Sequence, residues 1–183
     1  MQIDLLLEEI KTTLHKTKAT KLATIAAQAE HSIKHLIDLT FYQNEKIAFR
    51  ASWILETVCL TNFERFLPQI HYFLDKFPQQ LNLSCRRHYS KILTLITKKN
   101  APQIAKDIIE KYDTETLVET VFSWLIDDKN PVAIKAHCLN ILANLTVKHA
   151  WIKEELIQTM DFLVDKESIA FHGRAKQVRK QLK

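Results

Sequence analysis

His31 and His35 stand one helical turn apart, a spacing at which two imidazoles can share a metal ion. Glu30 is adjacent, but no third ligand follows at a recognisable distance and no HExxH occurs. Solvent-facing histidines account for the pair, so the expectation is no metal and no cofactor. Cys85 and His88 lie three apart beside Arg86 and Arg87. Neighbouring cations lower a thiol pKa and favour the nucleophilic thiolate. Yet Cys85 also falls in a column of apolar positions, where a cysteine packs as a small hydrophobe. Phe63, Phe66, Tyr72, Phe73 and Phe77 form a dense aromatic run. Rings beside basic residues can stack on bases. The spacing of Phe63, Phe66, Phe73 and Phe77 equally predicts a buried helical stripe, which explains their order without a ligand. No catalytic constellation emerges, and neither an enzyme nor a small-molecule substrate is expected.

The backbone that must carry these residues is constrained by one number. Among 183 residues there is a single glycine, Gly173. Phosphate-cradling loops and dinucleotide fingerprints need two or three, and tight hairpins need residues at positive φ. Those folds are excluded, and an all-α protein remains. Apolar residues make up 46% of the chain and charges 26%, which excludes a disordered chain. Three cysteines at wide spacing, with no CxxC, fit a reducing compartment. The start Met1-Gln2-Ile3-Asp4 lacks the pattern of a secretory signal, and no run of 18 uncharged apolar residues occurs. The expectation is a soluble cytoplasmic protein without a membrane span.

Hydrophobic periodicity predicts about eleven helices. Leu5, Leu6, Ile10 and Leu14 mark one over 2–16, and an Ala-rich one follows over 18–29. A short helix is expected from His31 to Asp38, and Asn44 precedes a long one to about Leu60. Thr61-Asn62-Phe63-Glu64 fits a capping box, opening a helix bent at Pro68 and stopped by Pro78. Later helices are expected over 84–97, from Pro102, from Asp113 or Thr114, from Asn130-Pro131, over 150–165 and from Ser168. No linker-like stretch divides the chain, so residues 1–183 read as one domain.

The long helices repeat. From Ile47, Cys85, Val132 and Phe171, four residues on stand Ala51, Tyr89, Ala136 and Ala175. Seven on stand Ile54, Ile92, Leu139 and Val178, and eleven on stand Val58, Ile96, Ala143 and Leu182. These steps lie on one face of a helix. The third step holds Arg50, His88, Lys135 and Arg174, a cationic or titratable group in every copy. The segments Asn44-Glu45-Lys46-Ile47-Ala48-Phe49-Arg50-Ala51 and Asn130-Pro131-Val132-Ala133-Ile134-Lys135-Ala136 resemble the helix starts of HEAT/armadillo-like repeats. The resemblance covers roughly residues 44–183, with 1–43 a less regular N-terminal cap. It implies a right-handed α-α superhelix of about five antiparallel helix pairs, each burying its apolar face against its neighbours. It also implies a binding scaffold rather than an enzyme.

Charge narrows the partner. Residues 61–100 carry seven basic and two acidic side chains, and the tail from Ser168 has no acid. Such zones attract phosphate or an acidic protein. The leading expectation is a non-enzymatic scaffold binding a protein, with Arg50, Arg86, Arg87, His88, Lys91, Lys135 and Arg174 as contact residues. Facing outward, the repeated column is a ladder for an acidic strip; packed between repeats, it pairs with acids of the neighbouring helix. The alternative is a nucleic-acid partner along segments 84–99 and 168–183. Trp124 and Asp128, four apart, have the residue kinds used by HEAT-like glycosylases of the DNA-alkylation-repeat class. Packing explains Trp124 adequately, and Asp127 and Asp128 suit a helix end.

Overall fold

The computed structural model describes residues 3–28 and 32–183, which hold helices and no strand. They fall into two compact units, Met1–Ile92 and Leu93–Lys183.

The first unit holds α1 (Ile3–Lys11), α2 (Lys16–Gln28), α3 (Ser32–Leu39), α4 (Glu45–Thr61), α5 (Phe63–Phe66), α6 (Ile70–Lys76) and most of α7 (Leu83–Thr97). Its centre is α4, which packs on α1, α2 and α3. Asn44 starts α4: its extended backbone lets Oδ1 accept from the Lys46 and Ile47 amides at 3.0 and 3.3 Å. Such a cap contributes about 1 kcal/mol. Asn82 does the same for α7, accepting from the Ser84 and Cys85 amides. Ala19, Ala23, Ala26 and Ala27 are buried on α2, where small side chains let α4 come close. Below α4 lies an aromatic core. Phe73 meets Phe66, Phe77 and Tyr89 at centroid distances of 5.6, 6.1 and 4.8 Å. The Tyr89 hydroxyl is satisfied by Thr40 Oγ1 at 2.6 Å. Phe66, Phe73 and Phe77 of the aromatic run are thus core packing, whereas Phe63 and Tyr72 are half-buried.

The second unit holds the end of α7, then α8 (Gln103–Lys111), α9 (Glu115–Ile126), α10 (Val132–Leu145), α11 (Ile152–Leu163) and α12 (Ile169–Gln181). Here α10 is central and packs on α9, α11 and α12. Its Ile134, Cys138, Leu139, Ile141 and Leu142 are fully buried. Among the described residues no helix is long and apolar enough to cross a membrane.

The repeat register predicts burial well. Within it only Val132 and Ala136 are half-buried rather than buried, because α10 turns Ile134 and Cys138 inward instead. Local boundaries differ more. α1 ends at Lys11, leaving Leu14 in the following loop, and α2 starts two residues earlier than its spacing predicts. The capping box at Thr61 does not form. Thr61 is the last residue of α4 and its hydroxyl donates to the Thr57 carbonyl at 2.9 Å. Pro68 and Pro78 each sit in a 3-10 turn, Leu67–Gln69 and Phe77–Gln79, so the expected bend separates α5 from α6. Pro102 and Pro131 are caps at ψ 144 and 150 rather than first helical residues. Asn130 instead ties the preceding loop, its Nδ2 donating to the Trp124 carbonyl at 2.9 Å. Gly173 lies in the middle of α12, where an added Cβ would meet nothing within 4 Å. In a helix interior glycine costs about 0.5–1 kcal/mol relative to alanine.

Candidate functional site

The repeated column Arg50, His88, Lys135 and Arg174 meets four different fates. Arg50 is half-buried, and its Nη1 donates to the carbonyls of Ile10 and Lys11 at 3.0 and 2.8 Å. It thereby closes the C-terminus of α1, whose last carbonyls lack helical partners. His88 is buried, with Nδ1 2.6 Å from Glu56 Oε2. Lys91, one turn further along α7, donates to Glu56 Oε1 at 2.5 Å. Burial pushes the Glu56 carboxyl upward, but the hydrogen bonds and charges of His88 and Lys91 outweigh it and hold it below the usual carboxylate value. His88 Nε2 is buried without a hydrogen-bond partner among the described residues. Lys135 is 2% exposed and forms an ion pair with Glu167, in the turn before α12. Arg174 is half-exposed and, among the described residues, reaches Gln177 Oε1 alone, at 2.8 Å on its own helix.

The other basic candidates separate in the same way. Arg86 is half-buried and donates from Nε to the Gln80 carbonyl at 3.0 Å, bracing the turn before α7. Arg87 is exposed. The structure therefore gathers His88 and Lys91 on one carboxylate and spends Arg50, Arg86 and Lys135 on internal ties. It leaves Arg87, Arg174 and part of Lys91 for solvent. His88 and Lys135 each have an acid of another segment opposite them.

Cys85 is buried in the apolar column and donates to the Thr40 carbonyl at 3.8 Å. Burial pushes its thiol up to about 11, outweighing the hydrogen bond with Ser52 that lowers it. Burial raises the Cys59 thiol as well, and none of the three cysteines forms a disulfide among the described residues. Trp124 is buried while Asp128 is exposed, so the two do not form a pocket pair. His35 is half-buried on α3, and His31 lies outside the described residues. No cluster of three metal-binding side chains exists among the described residues.

Several ties escape the sequence pattern. Lys148 donates to the carbonyls of Ile109, Glu110 and Tyr112 at 2.9, 2.8 and 2.5 Å, closing α8 as Arg50 closes α1. Glu56 and Glu167 carry no motif; the only signal at Glu56 is an acid between Leu55 and Val58 on an apolar face. On the first unit's surface Tyr72 donates to Asp38 and Lys34 lies 4.3 Å over the Tyr72 ring. The Asp38 hydrogen bond, then burial, pushes the Tyr72 hydroxyl up. At a cleft of about 610 Å³ between α1 and α2, Glu9 pairs with Lys18 at 2.8 Å and Glu8 with Lys11 at 2.6 Å.

What remains exposed is apolar and aromatic as well as basic. In the second unit the Trp151 ring is 55% exposed and stacks on Phe122 at 6.1 Å and 21°. Phe162 and Ile169 are 61% and 90% exposed.

Successive helices packed on a central one, with one apolar register recurring along the chain, define an α-helical repeat protein. The model of the HEAT repeat domain matches residues 6–182, and the chain belongs to that family. The match includes most of the stretch 1–43, where the register could not be laid, and runs through both units. Two solved structures share the fold. An engineered protein is 15% identical with a TM-score of 0.61, over 99% of this chain and 81% of its own. A computationally designed armadillo repeat protein for modular peptide recognition is 14% identical with a TM-score of 0.59, over 98% and 82%. No curated protein matches the chain.

Proposed function

We propose that this chain is a non-enzymatic scaffold that binds another protein. One observation carries the reading. The groups that could do chemistry are spent on internal ties, while large apolar side chains such as Trp151, Phe162 and Ile169 stay exposed. Exposed aromatic anchors are what protein interfaces use. Among the basic candidates, Arg87, Lys91 and Arg174 are the proposed contact residues, because their heads reach solvent. Three buried cysteines outside any disulfide among the described residues suit a reducing compartment, and the cytoplasm is the proposed location. The test is affinity capture from cell extract with lysine crosslinking and mapping of the crosslinked sites. Arg87→Glu with Arg174→Glu is expected to lower recovery of the partner several-fold at unchanged Tm. Recovery equal to wild type would remove these residues from the interface. Anisotropy titration against duplex DNA and RNA is the companion measurement; tight binding at physiological salt would turn the reading toward nucleic acid.

A further inference from the structure

The sole glycine of the chain sits where nothing in the chain calls for it. Gly173 has ordinary helical backbone, and a Cβ there would meet open space. Within the folded chain alanine serves better at that position. Around Gly173 the outward arc of α12 carries Ile169, Ala170, Lys176, Gln177 and Lys180, all exposed. At 100° per residue these lie within about 60° of Gly173 on the helix wheel. The N-terminal half of the arc is apolar and small; the C-terminal half is cationic. Lys176 and Lys180 make no ion pair among the described residues, whereas Arg179, on the flank, holds Asp161 at 2.5 Å. Three exposed apolar side chains, Phe162, Val164 and Ile169, fall in the short stretch leading into this face. No acid occurs from Ser168 to the last residue.

Resting on the protein-binding reading above, we propose that the outer face of α12 docks an acidic amphipathic helix of a partner protein. The partner's backbone comes close over Gly173, its apolar stripe covers Ile169, and its carboxylates face Lys176 and Lys180. The missing Cβ decides between partners. A phosphate backbone or a lipid surface meets side-chain tips and gains nothing from glycine. A packed helix gains close approach of the two axes, which any Cβ at the crossing point widens. The lysines supply the complementary charge and select against basic helices.

The test uses the full chain and a synthetic Glu/Leu amphipathic peptide of about 20 residues, long enough to hold a helix. Binding is read by calorimetry, with a Lys/Leu peptide of the same pattern as control. The Glu/Leu peptide is expected to bind and the Lys/Leu peptide not. Gly173→Leu is expected to weaken binding at least roughly tenfold, and Lys176→Glu with Lys180→Glu to abolish it. Gly173→Ala, whose Tm is expected at or above wild type, checks that loss of binding is not loss of fold. Equal binding by Gly173→Leu overturns the proposal. So does binding to phosphatidylserine vesicles or duplex DNA that the Lys→Glu pair removes and Gly173→Leu keeps. Self-association that Gly173→Leu abolishes overturns it in favour of a second copy. If the peptide fails but captured partners crosslink outside α12, this proposal falls and the protein-binding reading stands. If neither peptide nor partner is recovered, both fall.

Discussion

In the unit Met1–Ile92 the register's third step on α7 is His88, and it meets a carboxylate that two groups share. Glu56 is the buried partner, and the Lys91 side chain that completes the trio is 39% exposed. In the unit Leu93–Lys183 the same step on α10 is Lys135, and there the ammonium itself is buried. Its side chain is 3% exposed and Glu167 is its ion-pair partner. One sequence position thus yields an acid held under a half-solvated lysine in one unit and a desolvated lysine in the other. Charge taken out of water is costly unless its partner stays in place. The second arrangement therefore depends more heavily on a single residue. The surrounding cores differ too: aromatic rings fill the first, while aliphatic side chains of α9, α10 and α11 dominate the second.

The comparison is sharpest at Glu167. Glu167→Ala strands the buried Lys135 ammonium and is expected to cost about 3–5 kcal/mol in urea denaturation. Lys135→Met with Glu167→Leu should restore most of that loss, since an apolar pair of similar volume avoids desolvation. A cost near zero for Glu167→Ala would mean that Lys135 reaches water by another route. Next comes Glu56→Ala, at about 1.5–3 kcal/mol. It is smaller because the Lys91 head retains solvent. This variant also has a pH signature. The folded Glu56 carboxyl lies below its unfolded value. Its contribution is present in full above the unfolded pKa, about 4.3, and is lost as pH falls through the folded value. Wild type should therefore lose urea stability on acidification below about pH 5 more steeply than Glu56→Gln. Parallel profiles would show that the trio adds nothing pH-dependent. Smallest is the contrast within the column's outer members. Arg50→Ala, losing two carbonyl ties, is expected to cost about 1 kcal/mol. Arg174→Ala should stay within about 0.5 kcal/mol. Equal effects on Tm would erase the distinction between a helix-closing arginine and a surface one.

The candidate site was only partly legible. The column of cationic residues is visible as a spacing, because identical steps in successive helices occupy equivalent positions. Its direction is not, because Arg50, His88 and Lys135 turn inward only where carbonyls or acids wait. Those acceptors come from 32 to 40 residues away. Glu56 and Glu167 belong to no motif, and Lys148 reaches three carbonyls at the end of another helix. Local signals also misled where two readings competed. Thr61 looks like a cap by composition, yet a hydroxyl bonded four residues back extends α4 through it.

By itself the sequence determined the all-α class, through near-absence of glycine, and the repeat, through apolar steps of 4, 7 and 11. Both are local properties: backbone permissiveness and the helical period act within a few residues. It also determined which side chains are buried along the register, since an apolar stripe has one favourable direction. Only the tertiary structure decided which cations became ties and which remained in solvent. A long charged side chain is indifferent among water, a carbonyl and a carboxylate until packing removes the water. The same holds for Gly173, whose sequence position is unremarkable and whose open surroundings appear only once α12 is seated on α10.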